Sequence, residues 1–268
     1  MRLRQAPRTA RLYVRLLSVH LRAALEHESD FWVMVGAAIV TQLTSVVFLS
    51  AIFLQVPALE GWTFSDIVLM FALVTLAEGV VSLFFEGMWQ LPRQINEGAL
   101  DYFLVRPYPV VLQVTSAQVG LNGLGNLLSG TGMLVLGLVG ADIDWSIGTV
   151  LVALVVFVSA MLVKIAISLA SNVTSFWIPG PNPLFGAAMH QVGELLRFPL
   201  TIYPMAMRIV LGFVIPFAFV SFYPVTVLTG EGGHHWLGLL TPLVAAYCLS
   251  VALAFFRRGL RRYESAGH

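Results

Sequence analysis

Apolar residues fill most of the chain in long blocks, separated by short polar segments. Read in windows of about 19 residues, six blocks stand out, at 31–55, 64–85, 110–139, 147–171, 207–229 and 237–256. A bilayer is crossed by a helix of about 20 apolar residues. The pattern therefore predicts an all-α integral membrane protein with six transmembrane helices.

The first 30 residues follow a different pattern, in which arginines are interleaved with leucines and valines. The six arginines are Arg2, Arg4, Arg8, Arg11, Arg15 and Arg22. A basic amphipathic helix of this kind lies in the membrane interface. We therefore divide the chain into an N-terminal interfacial helix (1–30), a six-helix transmembrane domain (31–256) and a cytoplasmic tail (257–268).

Composition agrees with this division. Hydrophobic residues make up 58% of the 268 positions and charged residues only 11%, against about 25% charged in ordinary soluble domains, and the mean hydropathy is +0.84. These values exclude a soluble globular protein. Six spans also leave no segment long enough for a soluble catalytic domain, so ATP hydrolysis would have to come from another chain.

The distribution of charges predicts an orientation. The arginines outside the N-terminal helix follow the second, fourth and sixth spans: Arg93, Arg106, Arg197, Arg208, Arg257, Arg258, Arg261 and Arg262. The charged residues in the three loops of the other side are all acidic: Glu60, Asp66, Asp142, Asp144 and Glu231. By the positive-inside rule, all fourteen arginines lie on the cytoplasmic side and both termini are cytoplasmic.

The segment 177–229 is rich in proline and allows two interpretations. Its seven prolines are Pro179, Pro181, Pro183, Pro199, Pro204, Pro216 and Pro224, which no straight helix accommodates. We favour a cytoplasmic amphipathic stretch, 185–197, leading into a fifth span kinked at Pro216. In the alternative, the fifth span starts earlier and 216–228 is a re-entrant element on the outer face, which would place Arg208 near the outer side.

Two ionisable residues lie inside predicted spans. Glu78 is 14 residues past Phe64 and Lys164 is 17 residues past Ile147, or about 21 and 25 Å along their helices. Because an unpaired charge in the membrane costs several kcal/mol, they are candidates for an ion pair or a shared polar cavity. The alternative is that each faces a polar patch separately.

The third span is rich in glycine and contains Asn122 and Asn126 but no charge. Small residues allow helix backbones to approach closely in membranes, so tight packing is the simplest interpretation. A polar wall of a transport pathway is the functional one, in which both asparagines face the pathway.

Enzyme signatures are missing from the sequence. It contains no GxxxxGK[ST], HExxH or GxSxG motif, one cysteine and one lysine, so it offers neither a Walker-type phosphate loop nor a cysteine pair. We predict no catalytic residue, no metal site and no cofactor in this chain, and no nucleic-acid partner.

The loop between the second and third spans mixes charged and apolar residues. Its pattern predicts a short helix from about Pro92 to Glu97, ended by Gly98. Such a helix offers a soluble partner a surface to bind. The alternative is an ordinary interfacial connector.

Residues 98–107, GALDYFLVRP, resemble the G-x-L-D-x-x-L-x-[KR]-P loop of type-2 ABC exporter permeases, specifically the small six-helix branch encoded with an ATPase and often a second permease. Further matching segments are 197–204 (RFPLTIYP), 215–224 (IPFAFVSFYP) and 259–267 (GLRRYESAG). The resemblance covers almost the whole chain.

The resemblance implies a coupling helix within 92–101 that contacts the ATPase, with Pro92, Arg93, Gln94, Ile95, Asn96, Glu97, Gly98 and Asp101 as its coupling residues. It also implies two ATPase subunits that bind ATP and Mg, a second permease that is identical or related, and a location in the bacterial inner membrane. The expected function is export of an amphiphilic substrate such as a lipid, glycolipid or hydrophobic drug. The alternative is a secondary transporter driven by an ion gradient through Glu78 and Lys164.

Overall fold

The computed structural model describes residues 6–25, 28–178, 180, 182–233 and 235–264, and every regular element in these ranges is helical. Arg2, Arg4, Pro179, Pro181 and the last residues of the C-terminal motif lie outside the described residues. Five helical runs in the described part are long and apolar enough to cross a membrane: Phe31–Phe53, Phe64–Asn96, Asn122–Gly140, Ile147–Phe176 and His235–Arg262. A shorter apolar helix covers Met205–Val214.

The first helix, α1 (Ala6–Leu25), is amphipathic and is followed by α2 (Glu28–Phe53). The Tyr13 hydroxyl donates a hydrogen bond to the carbonyl of Phe84 at 2.5 Å. The His20 ring nitrogen Nδ1 lies 2.8 Å from the carbonyl oxygen of Ser116. Burial raises the pKa of Tyr13 to about 12, so the phenol stays protonated as a donor. These contacts attach α1 to the rest of the chain.

Helix α3 (Phe64–Phe85) is the centre of the molecule and is buried along most of its length. It begins with a capping box: the Thr63 hydroxyl accepts from the Asp66 amide at 3.3 Å, and the Asp66 carboxylate accepts from the Thr63 amide at 3.0 Å. These bonds satisfy amide groups at the first turn. The two ends of α3, at Phe64 and at Phe85, serve below as reference levels.

Short helices follow the Phe85 end of α3. A 3₁₀ turn, Glu86–Gln90, leads into α4 (Leu91–Asn96), α5 (Asp101–Leu104) and α6 (Val110–Thr115). Leu91 and Leu100 are fully buried in an apolar cluster with Val173 and Phe256. The predicted short helix is therefore present and is anchored to the bundle on its apolar side.

The predicted third span is interrupted. Helix α6 ends at Thr115 and α7 (Asn122–Gly140) starts after a break. Within that break the Gly120 amide donates to the Ser82 carbonyl at 2.9 Å. The continuous span predicted over 110–139 is therefore wrong, because the chain bends around the end of α3 before it enters α7.

Helix α7 packs closely along α3 through its glycines. A Cβ on Gly123 would lie 2.7 Å from the Leu83 amide nitrogen and 2.9 Å from the Gly79 carbonyl oxygen. A Cβ on Gly137 would lie 2.7 Å from the Leu69 side chain. The structure thus agrees with the close-packing interpretation of this segment.

Helices α8 (Ile147–Val173) and α12 (Thr241–Arg262) pack against each other on the other side of the core. Their contact is close near the Phe85 end of the bundle, where a Cβ on Gly259 would lie 2.3 Å from the Phe176 ring. Helix α12 continues without a break through 256–262.

Between α8 and α12 the chain is folded in pieces. Helix α9 (Leu184–Glu194) is followed by 3₁₀ turns at Leu195–Arg197 and Leu200–Ile202. Gly186 lies against Asn172 near the end of α8, and Phe198 packs edge-on against Phe71. Thr201 accepts a hydrogen bond from the Trp62 indole at 2.9 Å. Residues 184–202 therefore run along α3 from the Phe85 half to the Phe64 end.

The next segment turns back on itself. Helix α10 (Met205–Ile209) continues as a π-helical turn, Val210–Val214, and the chain reverses at Pro216 before α11 (Phe222–Thr229). Val214 and Pro216 line a cavity with Ala170 of α8, whereas Phe222 packs edge-on against Trp62. Residues 205–229 thus form a hairpin that enters from the Phe64 end and returns to it.

The hairpin corrects two sequence predictions. A single fifth span over 207–229 kinked at Pro216, preceded by a surface stretch at 185–197, is wrong, because its two halves run in opposite directions. The placement of all fourteen arginines at one end is also wrong. The Arg208 guanidinium donates to the carbonyls of Thr201 and Tyr203, so Arg208 lies at the Phe64 end, opposite to Arg93.

Candidate functional site

A buried ion pair joins α3 to α8. Lys164 Nζ lies 2.8 Å from Glu78 Oε2, and the side chains are only 3% and 13% exposed. His190 of α9 is the third member, with Nδ1 3.3 Å from Glu78 Oε1. Of the two sequence interpretations, the structure has the paired one, and the pair is extended by a histidine.

The surroundings of this cluster are partly polar and tightly closed. Lys164 Nζ lies 5.8 Å from the centre of the Phe217 ring, within cation–π range. Trp89 packs edge-on against His190. A cavity of ≈10 Å³, about the size that holds one water molecule, lies among Lys164, His190 and Asn172.

A second charged cluster lies closer to the Phe64 end. The Arg197 guanidinium donates to Gln42 Oε1 at 3.0 Å, to Thr75 Oγ1 at 3.3 Å and to Glu194 Oε2 at 2.5 Å. It also lies over the Phe71 ring at 5.4 Å. Arg197 therefore fastens residues 184–202 to both α2 and α3.

The charges of the two clusters balance. Glu78 with Lys164 and Glu194 with Arg197 form two opposite-charge pairs, which leaves His190 as the group whose protonation changes the net charge. A buried ion pair rarely adds net stability compared with apolar residues of the same volume, but it is costly to break. In this structure the clusters thus attach α9 and the turn that follows it to α2, α3 and α8.

The coupling residues predicted from the resemblance lie at the Phe85 end of the bundle. In α4, Pro92 is buried, Gln94 and Ile95 are half-buried, and Arg93, Asn96 and Glu97 are exposed. Arg93 Nε lies 2.8 Å from Glu97 Oε1. Gly98 has φ +72°, a left-handed conformation that favours glycine after a helix. The segment presents a charged surface on an anchored helix.

Asp101 begins α5 and faces the end of α12. Burial and then the nearby carboxylate of Asp101 raise the pKa of the Tyr263 phenol. Tyr263 in turn packs edge-on against Phe176, which follows α8. Asp101 therefore links the loop after α4 to the residue that follows α12.

Asn122 and Asn126 take no part in the charged clusters. Asn122 is exposed at the first position of α7, and Asn126 is buried one turn later. The described ion pairs and hydrogen bonds of the two clusters come from α2, α3, α8 and residues 184–202. The structure does not bring the two asparagines together with Glu78 and Lys164.

Sequence reasoning missed His190, Glu194 and Arg197. A signal was present, because these positions follow the i, i+4, i+7 spacing of one helix face. In the sequence this spacing indicates the polar face of a surface helix, since three prolines precede it and two follow it. Gln42 and Thr75 are uncharged polar residues inside apolar helices and give no comparable signal.

A protein-family model described as "ABC-2 family transporter protein" matches residues 39–267. The chain belongs to the ABC-2 transporter family. The matched region includes α3, both charged clusters, α4 and the hairpin. It leaves out α1 and the first part of α2. Comparisons with curated proteins and with solved structures give no match.

Family membership states what kind of subunit this is. ABC-2 permeases are the membrane subunits of ABC transporters and work with an ABC ATPase. The chain is thus a multi-pass membrane protein and a transport subunit.

Proposed function

We propose that this ABC-2 permease is the membrane subunit of an ATP-driven exporter. Residues 184–202 would provide a further crossing beside the five long helices, for six in all, and 205–229 would be re-entrant from the outer face. The Phe85 end, with α1 and the end of α12, would then be cytoplasmic, in a bacterial inner membrane. Transport would use ATP and Mg bound by two partner ATPase subunits.

The single observation that carries this proposal is that the α4 segment, residues 91–101, is buried on one side and exposed on the other. Its apolar side is buried at Leu91, Pro92 and Leu100, whereas Arg93, Asn96 and Glu97 face outward. A helix of six residues is not stable alone, and this one is held by burial on one side. It therefore supports a rigid contact for a soluble subunit, within the coupling segment 92–101.

The substrate class is argued from the apolar spaces in the bundle. A cavity of ≈390 Å³ lies between α8, α9, α12 and the hairpin tip, and Ile167, Phe185, Val251 and Phe255 are among its lining residues. This volume falls in the range of about 300–1,000 Å³ typical of small-molecule sites. Such a lining supports an amphiphilic substrate, such as a lipid, glycolipid or hydrophobic drug, moved outward from the cytoplasm or the inner leaflet.

A second permease copy, identical or related, completes the proposed exporter. Helix α2 exposes large apolar residues along most of its length, including Trp32, Val40 and Val47. Such a face is covered either by lipid or by another permease. Among soluble oligomers the closed two-fold dimer is the commonest arrangement, and we propose the same symmetry for the permease pair.

The buried clusters suggest a second candidate function, an ion-gradient-driven transporter. Intramembrane ionisable residues often form ion or proton pathways, and Glu78, Lys164 and His190 are in contact. Their mutual neutralisation and close packing favour a structural role instead. A proton-gradient-driven uptake or efflux by the purified chain without ATPase would support this alternative.

Purification from the native membrane in mild detergent, followed by mass spectrometry, tests the proposal. A stoichiometric nucleotide-binding subunit in the complex is the expected result, and the presence of one or two permease sequences identifies the dimer. A chain that purifies without any ATPase would contradict the proposal.

A further inference from the structure

A hydrogen bond connects α4 to the loop that enters α9. The Asn96 side-chain amide donates to the Pro92 carbonyl at 2.7 Å and to the Gly180 carbonyl at 2.7 Å. Both protons of the amide are therefore hydrogen-bonded. One bond lies within α4, and the other joins α4 to a residue 84 positions away in the sequence. The amide is a bridge between the two loops of the Phe85 end.

Gly180 lies four positions before Leu184, where α9 begins. Its φ is +150°, a conformation that L side chains rarely adopt, although a Cβ there would find open space. Glycine is thus required by the backbone path that aims the carbonyl at Asn96, and not by lack of room.

Helix α9 reaches the buried charges. It packs by close approach at Gly186 against Asn172 and at Gly193 against Lys164. His190 between them contacts Glu78. Pro183 precedes α9, and the 3₁₀ turn Leu195–Arg197 follows it. The α-helical geometry is therefore interrupted at each end of α9.

Helices α3 and α9 differ in their freedom to move. Helix α3 is buried along nearly its whole length in the main core, whereas α9 has only two buried residues, Gly186 and Gly193. Asn96 is bonded to Gly180, four positions before α9. A displacement of α4 through this bond therefore acts on the helix with fewer apolar contacts, whose other attachment is the charged contact of His190 with Glu78.

We propose that Asn96 is a positioning residue whose amide transmits movement of α4 to α9 through the Gly180 carbonyl. The inference rests on the proposed function, because the movement of α4 comes from a bound ATPase. The ATP-bound and nucleotide-free states of the ATPase then favour different positions of α9. Such a shift requires that ATP binds the two conformations with different affinity.

The single cysteine of the chain reports on this movement. Cys248 of α12 lines the same ≈390 Å³ cavity as Phe185 and Met189 of α9. A displacement of α9 changes access to that cavity. The rate at which N-ethylmaleimide labels Cys248 therefore measures the position of α9 without any added cysteine.

The test compares Cys248 labelling in the permease–ATPase complex, nucleotide-free and trapped with ATP and vanadate. In the wild-type complex the two rates should differ by about threefold or more, and in Asn96→Asp the difference should disappear, because an isosteric carboxylate cannot donate to a carbonyl. Gly180→Ala should behave like Asn96→Asp. The control Thr131→Val removes an exposed hydrogen bond to the Leu127 carbonyl in α7, away from the α4 loop, and should label like wild type.

Several results would overturn the inference. One is an unchanged nucleotide-dependent difference in Asn96→Asp, and another is equal labelling of both states in a wild-type complex that traps nucleotide. Loss of ATPase binding in Asn96→Asp would make Asn96 a contact residue and overturn its role in transmission. Absence of an ATPase from the wild-type complex would instead overturn the proposed function and the inference with it.

Discussion

Lys164 and Glu78 form an ion pair at 2.8 Å between α8 and α3, with both side chains largely buried. His190 contacts the second oxygen of the same carboxylate, so one acid holds two helices of the bundle together with α9. Removal of either charge leaves the other uncompensated in an apolar interior.

The pair predicts strong coupling in a double-mutant cycle. Glu78→Gln and Lys164→Met should each destabilise the detergent-solubilised chain by about 3 kcal/mol, and the double variant should lose clearly less than their sum. Thermal unfolding of the four proteins measures this. Exchange of the two residues should restore only part of the lost stability. The recovery is incomplete because His190 would then lie beside a lysine instead of a carboxylate. Strict additivity and no recovery on exchange would rule out a stabilising pair.

The glycines of α7 differ sharply in the room around them. Gly123→Ala should cost about 1–3 kcal/mol, because its Cβ meets the backbone of α3. Gly132→Ala in the same helix is the control: nothing lies within 4 Å of its Cβ, and alanine favours helix by up to about 1 kcal/mol. Unfolding temperatures should move in opposite directions. Equal effects would contradict the α3–α7 contact.

The hairpin predicts the sidedness of two loop positions. In a Cys248→Ser background, Met205→Cys and Asn182→Cys should react with a membrane-impermeant maleimide from opposite sides, because 184–202 runs from one end of α3 to the other. A single span kinked at Pro216 would place both on the same side. Labelling of intact and permeabilised cells distinguishes the two, with Cys248→Ser alone as the background.

Charge reversal on α4 separates coupling from folding. Arg93 and Glu97 form an exposed i, i+4 pair, with side chains 64% and 55% exposed, and such pairs contribute little to stability. Arg93→Glu should therefore leave the unfolding temperature unchanged while it lowers ATPase binding or the ATPase activity stimulated by the permease. Normal stimulation in Arg93→Glu, Glu97→Lys and Asp101→Lys alike would argue against this loop as the contact.

The long helices and the α4 segment could be predicted from the sequence because each depends on a local pattern. Uninterrupted apolar blocks predict α2, α3 and α8 nearly to their ends, and Pro92 with Gly98 bounds α4. The block 237–256 predicts α12 less closely, because the helix continues through the arginines to Arg262. The Glu78–Lys164 pair was open to prediction because both residues lie at similar depth and an unpaired charge is costly.

The proline-rich segment could not be predicted in the same way, since its path depends on tertiary contacts. Arg208 bonds to the carbonyls freed where Thr201 and Tyr203 leave helical geometry, and the charge rule takes no account of such a local partner. Arg197 likewise has partners, Gln42 and Thr75, that are distant in sequence. Neither contact is marked by a periodic pattern of residues in the sequence.

The central claim, that an ATPase drives this permease through α4, is tested most directly by site-specific photocrosslinking. A photoreactive residue at Arg93 should crosslink to the ATPase in native membranes. One at Trp236, an exposed position near the other end of the bundle, should not. A crosslink from position 236, or none from position 93 in a complex that retains its ATPase, would contradict the account.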